Sequence, residues 1–297
     1  GDFMLSLLAQ SRPPITDNSV LDQFTIPFGN WVDEATAWAN AHLDPLFNVI
    51  EWPFNTLLKL VVDDFLIASW MPWFVVVALI AFVGTLTRSL KVGLMSGAAI
   101  ALCGLLGKGI WEPTVETIGM VIVAVAICTV IGIPLGILCG RFDPVWNTVR
   151  PLLDGMQVVH PFVYLLPVIF FFGIGRTPGV LVTMVFALPP LVRLTNLGLR
   201  QVPEDVVEAS RAYGAPERRV LTDVQLPLAR PAIMTGLNQC LLMAISMVGI
   251  VALISGGGLG QMVFRGVQNL DTPLAASAGL ALYLVAVVLD RLSQRDG

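Results

Sequence analysis

Charged side chains are scarce in this chain: they make up 13% of its 297 residues, against 56% hydrophobic, and the mean hydropathy is +0.79. So little polar surface cannot coat a globule of this length, which excludes an ordinary water-soluble domain. Histidine occurs only at His42 and His160. Cysteine occurs only at Cys103, Cys128, Cys139 and Cys240, and none of these shows metal-ligand spacing. A bound metal is therefore not expected, and the cysteines read as small apolar packing residues. The net charge of −4 comes without a basic tract or an aromatic-interleaved patch, so nucleic acid is excluded as a partner. A nucleotide site is lacking too. The nearest approach, Gly104-Leu-Leu-Gly107-Lys108-Gly109, has Leu102 where a P-loop needs its first glycine and Gly109 where it needs Ser or Thr. No paired acid and base is evident, so the chain is not expected to be an enzyme.

What is present is a series of long apolar runs. A bilayer-spanning helix needs about 20 mostly apolar residues, and seven stretches approach that length: 71–89, 92–110, 117–140, 158–175, 178–199, 231–254 and 272–292. The expected fold class is an all-α polytopic membrane protein with about seven transmembrane helices. Lys and Arg set its orientation, because cytoplasmic loops carry the excess. With residues 200–230 inside, seven spans put 12 of the 17 basic residues on that side, among them Arg141, Arg200, Arg211, Arg218 and Arg219. The N-terminus is then outside and the C-terminus cytoplasmic. Residues Phe3 to Ala9 are too short and lack the basic flank of a secretory signal.

Residues 1–70 carry nine acidic side chains against two basic ones, together with Trp31, Trp38, Trp52 and Trp70. Ala35, Trp38 and Leu43 recur at near-helical spacing, Asp44-Pro45 reads as an N-cap followed by an N1 proline, and Trp52-Pro53 reads as a break. One or two amphipathic helices in the outer interface fit this pattern, as does a cap packed on the bundle. Prolines and glycines recur within the spans, at Pro134, Gly136, Pro161, Pro167, Pro189 and Pro190. Bent helices around a cavity fit them, and so does ordinary small-residue packing.

The most distinctive segment is polar. Residues 208–227, EASRAYGAPERRVLTDVQLP, lie between two spans and must emerge into water. Acidic residues come early and Arg211 late, which suits a helix macrodipole. Gly214 is placed to end that helix and Pro216 to begin a second one. Val220, Leu221 and Val224 form the apolar face of the second helix, Arg218, Arg219 and Asp223 face outward, and Leu226-Pro227 is expected to stop it before the next span. Two short helices joined by small residues make a compact knob.

Glu208, Ala209, Ser210, Gly214, Leu226 and Pro227 resemble the "EAA" loop of binding-protein-dependent ABC importer permeases. Ser210 stands in place of the second alanine and Val224 in place of the usual isoleucine. The likeness continues through RPLLDGMQVVHPFVYLLPV (150–168), FGIGRTPGV (172–180), FALPPLVRLTNLGLRQVP (186–203) and GGGLGQMVFRG (256–266), wording similar to the glycine betaine/proline betaine, or osmoprotectant, type. The resemblance implies an external region over 1–70, two accessory helices over 71–110 and a five-helix permease core over 117–292 with its coupling loop at 200–230. It implies a bacterial inner-membrane location. Two copies of the permease would form the pathway, two ATPase subunits would carry the ATP and Mg, and an external binding protein would deliver a quaternary ammonium solute. This chain would bind no cofactor itself. Glu208, Ala209, Ser210, Gly214, Arg218, Leu226 and Pro227 are the implied ATPase-coupling residues.

Polar side chains within spans are costly unless partnered, so Tyr164, Thr183, Asn238, Gln239 and Ser246 are candidates to line the pathway, together with the aromatic Phe162 beside Tyr164. Asn238, Ser246 and Gly249, at separations of eight and three, are compatible with one helical face. Interhelical hydrogen bonding explains these residues equally well. Gly256, Gly257, Gly258 and Gly260, in the stretch 255–260 expected on the outer side, fit a flexible external gate or a binding-protein contact, and a plain turn as well. The competing reading is a self-sufficient secondary carrier or channel. That needs ionisable residues inside the membrane, and Lys108, Glu116, Arg193 and Asp290 all lie near span ends.

Overall fold

The structure, a computed structural model, describes residues 28–67, 72–254 and 256–294. The segment Phe3–Ala9 and the residues Arg12, Trp70, Ser255 and Arg295 lie outside the described residues. The chain divides into two units, residues 1–45 and 46–297. In the first, the Trp31 and Trp38 indoles are exposed, and Trp38 stacks on His42 with ring centroids 5.0 Å apart.

Helix α1 spans Phe28–Leu58 without interruption and continues into a π-helical turn, Lys59–Leu66. Asp44-Pro45 therefore starts no new helix, and Trp52-Pro53 breaks none. A proline inside a helix costs about 3 kcal/mol. Phe54, Leu58 and Val62, spaced by four residues, bury one face into the bundle, and each contributes roughly 1.5–3 kcal/mol. Burial outweighs the break at Pro53. This packed stripe belongs to the cap reading, while the exposed Trp52 indole is what an interfacial helix presents.

Apolar helices stand at all seven positions read from hydropathy, with different lengths. Among the described residues, four are long and apolar enough to cross a membrane: α4 (Trp111–Arg141), α7 (Arg176–Arg200), α9 (Glu217–Ile254) and α11 (Thr272–Ser293). A fifth span arises if α5 (Asp143–Val158) and α6 (Pro161–Phe172), bent by 100° at their junction, count as one. The 158–175 stretch is thus only a 12-residue helix. The His160 side chain and Pro161 start it, and Gly173, at φ +76°, ends it. Helices α2 (Trp73–Thr87) and α3 (Leu90–Leu105) have 15 and 16 residues, shorter than the spans expected over 71–89 and 92–110. Ser89 caps α3, accepting from the Val92 amide at 3.4 Å, and the glycines of Gly107-Lys108-Gly109 stop it early.

Helix α7 is the most enclosed of the long helices, lying between α4 and α9. The close approach on the α4 side comes from Gly132, Gly136 and Gly140, which recur every fourth residue and so line one helical face. A Cβ on Gly136 would meet Thr195 Cβ at 2.5 Å, and one on Gly140 would meet Leu199 Cβ at 2.9 Å. Lipid is as apolar as leucine, so tight backbone contact of this kind is what holds membrane helices together. The four cysteines are buried, as packing residues should be. Among the described residues no His, Cys, Asp and Glu group fit to hold a metal is found.

Candidate functional site

The polar loop folds as two helices around a glycine turn. Helix α8 (Glu204–Ala212) has Glu204 and Asp205 in its first turn and Arg211 in its last, matching its dipole. It closes with the Ala215 amide on the Ser210 carbonyl at 3.2 Å and the Gly214 amide on the Arg211 carbonyl at 2.8 Å. That paired pattern, a Schellman closure, needs a left-handed residue, and Gly214 supplies it at φ +83°. Pro216 then opens α9.

Val207 and Val220 are buried beneath the knob, with Leu221 and Val224 partly covered. Glu208, Ala209, Gly214, Arg218, Arg219 and Asp223 are exposed, Ser210 and Leu226 partly so, and Tyr213 is 93% exposed. One acidic residue, absent from the implied coupling set, orients the knob. Glu217 accepts from Arg211 Nε at 2.7 Å within the loop and from Arg141 Nη2 at 3.1 Å at the end of α4. The Arg211 guanidinium is held charged even more firmly than usual by that carboxylate. Such exposed pairs add little stability, so their effect here is on orientation. Arg200 adds a second tie, to the Cys139 carbonyl at 2.9 Å and Asp143 at 2.7 Å.

Leu226-Pro227 does not stop the second helix, contrary to expectation. Helix α9 runs 38 residues from Glu217 to Ile254. A π-helical segment, Val220–Gln225, ends one residue short of the proline, with Leu226 between them. Its wider i→i+5 bonding changes the ladder where the missing Pro227 donor and the Asp223 carbonyl would otherwise conflict.

The candidate pathway residues are not brought together as one set. Gln239, Ser246 and Gly249 lie on an exposed stripe of α9 that also carries Pro231, Thr235 and Leu242, spaced by threes and fours. The Thr235 and Ser246 hydroxyls are satisfied by the carbonyls four residues earlier, at 3.0 and 2.8 Å. Asn238 turns away instead and accepts from Ser293 of α11 at 2.5 Å, the interhelical alternative. The eight-residue separation from Ser246 leaves it about 80° around the helix from that face. Thr183 is buried and donates to the Gly179 carbonyl at 2.8 Å, beside a cavity of about 10 Å³ that is also lined by Met120, Ala244 and Val251. The Tyr164 hydroxyl lies against the Met156 and Val159 carbonyls, stapling the α5–α6 bend. Phe162 is half exposed and stacks on His160, with ring centroids 4.9 Å apart.

If the α9 stripe faces water, a cysteine at Ser246 in a cysteine-free background should react with a membrane-impermeant thiol reagent, and one at the buried Ala244 should not. Equal protection of both positions would remove the stripe from any aqueous pathway.

The glycine stretch is closely packed and hydrogen-bonded to α4. The Gly258 amide donates to Glu116 Oε2 at 2.7 Å and the Leu259 amide to Thr117 Oγ1 at 2.8 Å, starting α10 (Gly258–Gln268). Gly257 and Gly258 have φ of +81° and +69°. A Cβ on Gly256 would lie 2.0 Å from Val251 Cγ1, and one on Gly260 would lie 2.4 Å from the Val248 carbonyl. The partners at Glu116 and Thr117 are 142 residues away in sequence, and no local signal announces them.

Residues 132–295 match the family described as binding-protein-dependent transport system inner membrane component. The chain is 42% identical over 294 residues to the glycine betaine/proline betaine transport system permease protein ProW of Escherichia coli K12, covering 98% of this chain and 82% of that one. It is 43% identical over 206 residues to the glycine betaine transport system permease protein OpuAB of Bacillus subtilis 168, covering 67% and 73%. The fold is also similar to a solved structure of the MetNI methionine ABC transporter in an inward-facing conformation. There the TM-score is 0.53 at 22% identity, over 60% of this chain and 91% of that one. The protein is thus a multi-pass inner-membrane translocation subunit, and it belongs to the family of inner-membrane components of binding-protein-dependent transport systems.

Proposed function

We propose that this chain is the permease of an ATP-driven importer for glycine betaine, proline betaine or a related quaternary ammonium osmoprotectant. Two copies form the pathway, and each knob docks on an ATPase subunit that alone binds ATP and Mg. An external binding protein delivers the solute. The N-terminus is outside and the C-terminus cytoplasmic.

The observation that carries this reading is the knob itself, a charged two-helix projection on an apolar bundle, oriented by Glu217 and held open to solvent. The excess of Arg on its side of the bundle agrees with a cytoplasmic position. Unbroken α9 supplies the mechanics. Its 38 residues reach about 55 Å at 1.5 Å each, from the knob to the glycine turn. A push at one end is delivered at the other without a hinge at Pro227. The polar α9 stripe is poor lipid-facing surface and fits the water-exposed or partner-facing side of that same helix. The similarity to glycine betaine permeases over most of the chain supports the substrate class.

Proteoliposomes containing this chain, its cognate ATPase and a loaded binding protein should accumulate glycine betaine only when ATP is supplied. Omitting the ATPase should stop uptake. Accumulation by the chain alone under an ion gradient would instead establish the carrier reading.

A further inference from the structure

At the end of the bundle away from the knob, three charged side chains from three elements meet. Arg176, the first residue of α7, holds Asp63 of the π-helical turn with both guanidinium nitrogens, at 2.9 and 3.3 Å. The same Nη1 lies 3.6 Å from Glu116 Oε1, near the start of α4. The other oxygen of Glu116, Oε2, takes the Gly258 amide at 2.7 Å. Glu116 is the most enclosed of the three, with 18% of its side chain exposed against 36% for Arg176 and 40% for Asp63.

Each oxygen of Glu116 therefore has a separate task. One faces a fixed positive charge and the other caps the amino end of the 11-residue α10, where the helix dipole favours a carboxylate. The glycines are what allow the approach, since a Cβ on Gly257 would lie 2.5 Å from Oε1. Arg176 is aimed by Asp63, because a planar guanidinium gripped by two parallel bonds is fixed in direction. The neighbouring Thr177 hydroxyl donates to Asn55 of α1 at 3.2 Å, and Val62 fills the notch at Gly119, where a Cβ would meet its Cγ2 at 2.6 Å. Residues 46–66 thus grip α4 and α7 beside the turn, although they lie outside the stretch 132–295 that matches the family.

We infer that Glu116 is a positioning residue for the Gly256–Gly260 turn and the start of α10, and that Asp63, acting through Arg176, places this clamp under the control of the amino-terminal segment. The segment is then more than a passive cap.

The test is amide hydrogen exchange at Gly258 and Leu259 in the full chain held in lipid nanodiscs, using variants that keep side-chain shape. Glu116→Gln should speed exchange at these amides about tenfold, since a charge-assisted hydrogen bond is roughly twice as strong as a neutral one. Asp63→Asn should speed it about threefold at the same amides, with α4 and α7 core amides unchanged. Because Asp63 reaches these amides only through Arg176 and Glu116, the double variant should match Glu116→Gln alone. Unchanged exchange in Glu116→Gln would remove the clamp. An unchanged Asp63→Asn, or additive effects in the double variant, would remove the reach of the amino-terminal segment. The importance of the turn for transport rests on the function proposed above, but exchange is read without transport, so a failure of either is told apart from the other.

Discussion

Gly214→Val, in the transporter assembled with its ATPase and binding protein, is expected to lower substrate-stimulated ATP hydrolysis at least about thirtyfold, the loss of a ~2 kcal/mol interface hot spot. Membrane insertion should not change. Gly214 sits at φ +83° with nothing within 4 Å of where a Cβ would stand, so the penalty comes from the backbone and not from a clash. A left-handed conformation costs an ordinary residue about 1–2 kcal/mol, and a β-branched one more. Valine therefore unwinds the Schellman turn, releases the Ala215 to Ser210 bond and swings α8 away from the start of α9. The exposed face made by Glu208, Ala209 and Tyr213 then no longer presents one shape to the ATPase. Gly214→Asn separates turn geometry from side-chain loss, because asparagine tolerates the left-handed region, and it should keep most of the coupling. Full hydrolysis in the valine variant would show that the ATPase does not read the knob.

Gly136→Val is expected to be strongly destabilising, costing about 3 kcal/mol against a total stability of roughly 5–15 kcal/mol. The new Cβ would stand 2.5 Å from Thr195 Cβ and 3.0 Å from the Val192 carbonyl. Neither contact can be relieved by a side-chain rotation, since a Cβ is fixed to its backbone and the carbonyl is held in a helix. Helices α4 and α7 must separate, and α7 carries the packing on α9 with it. Thermal melting in detergent, with the yield of monodisperse protein, reads the effect. Gly279→Ala is the control, since no atom lies within 4 Å of its added methyl. It should melt within a few degrees of the parent. Similar melting of the two variants would mean that the α4–α7 seam is not a stability determinant.

How much of this was legible beforehand divides by the range of the interaction. The left-handed end of α8 was readable at Gly214, because a glycine after a polar helix is itself the cause of that turn. The outward charges Arg218, Arg219 and Asp223 and the inward Val220 followed from helical spacing alone. Pro227 was misleading, since a proline normally ends a helix and nothing local says that the preceding turn widens to accommodate it. The α4 glycine seam was present in the sequence as Gly132, Gly136 and Gly140, but its partner on α7 was not. Asn238 and Ser246 looked alike as polar residues in one span, and only α11 distinguishes them, by offering Ser293 to the first.

Composition and local spacing are enough to place this chain in a membrane, to make most of it helix and to require that one charged loop leave the lipid. Each of these follows from composition and from spacing within a few residues, where the cost of an unpaired polar group in hydrocarbon leaves no alternative. Folding alone fixes which faces of those helices meet, where a helix persists through proline, and that Glu116 reaches the Gly258 amide across 142 residues. Those outcomes depend on neighbours brought together only by folding. In an apolar solvent, shape fit and a few partnered charges select among packings that the local pattern leaves equal.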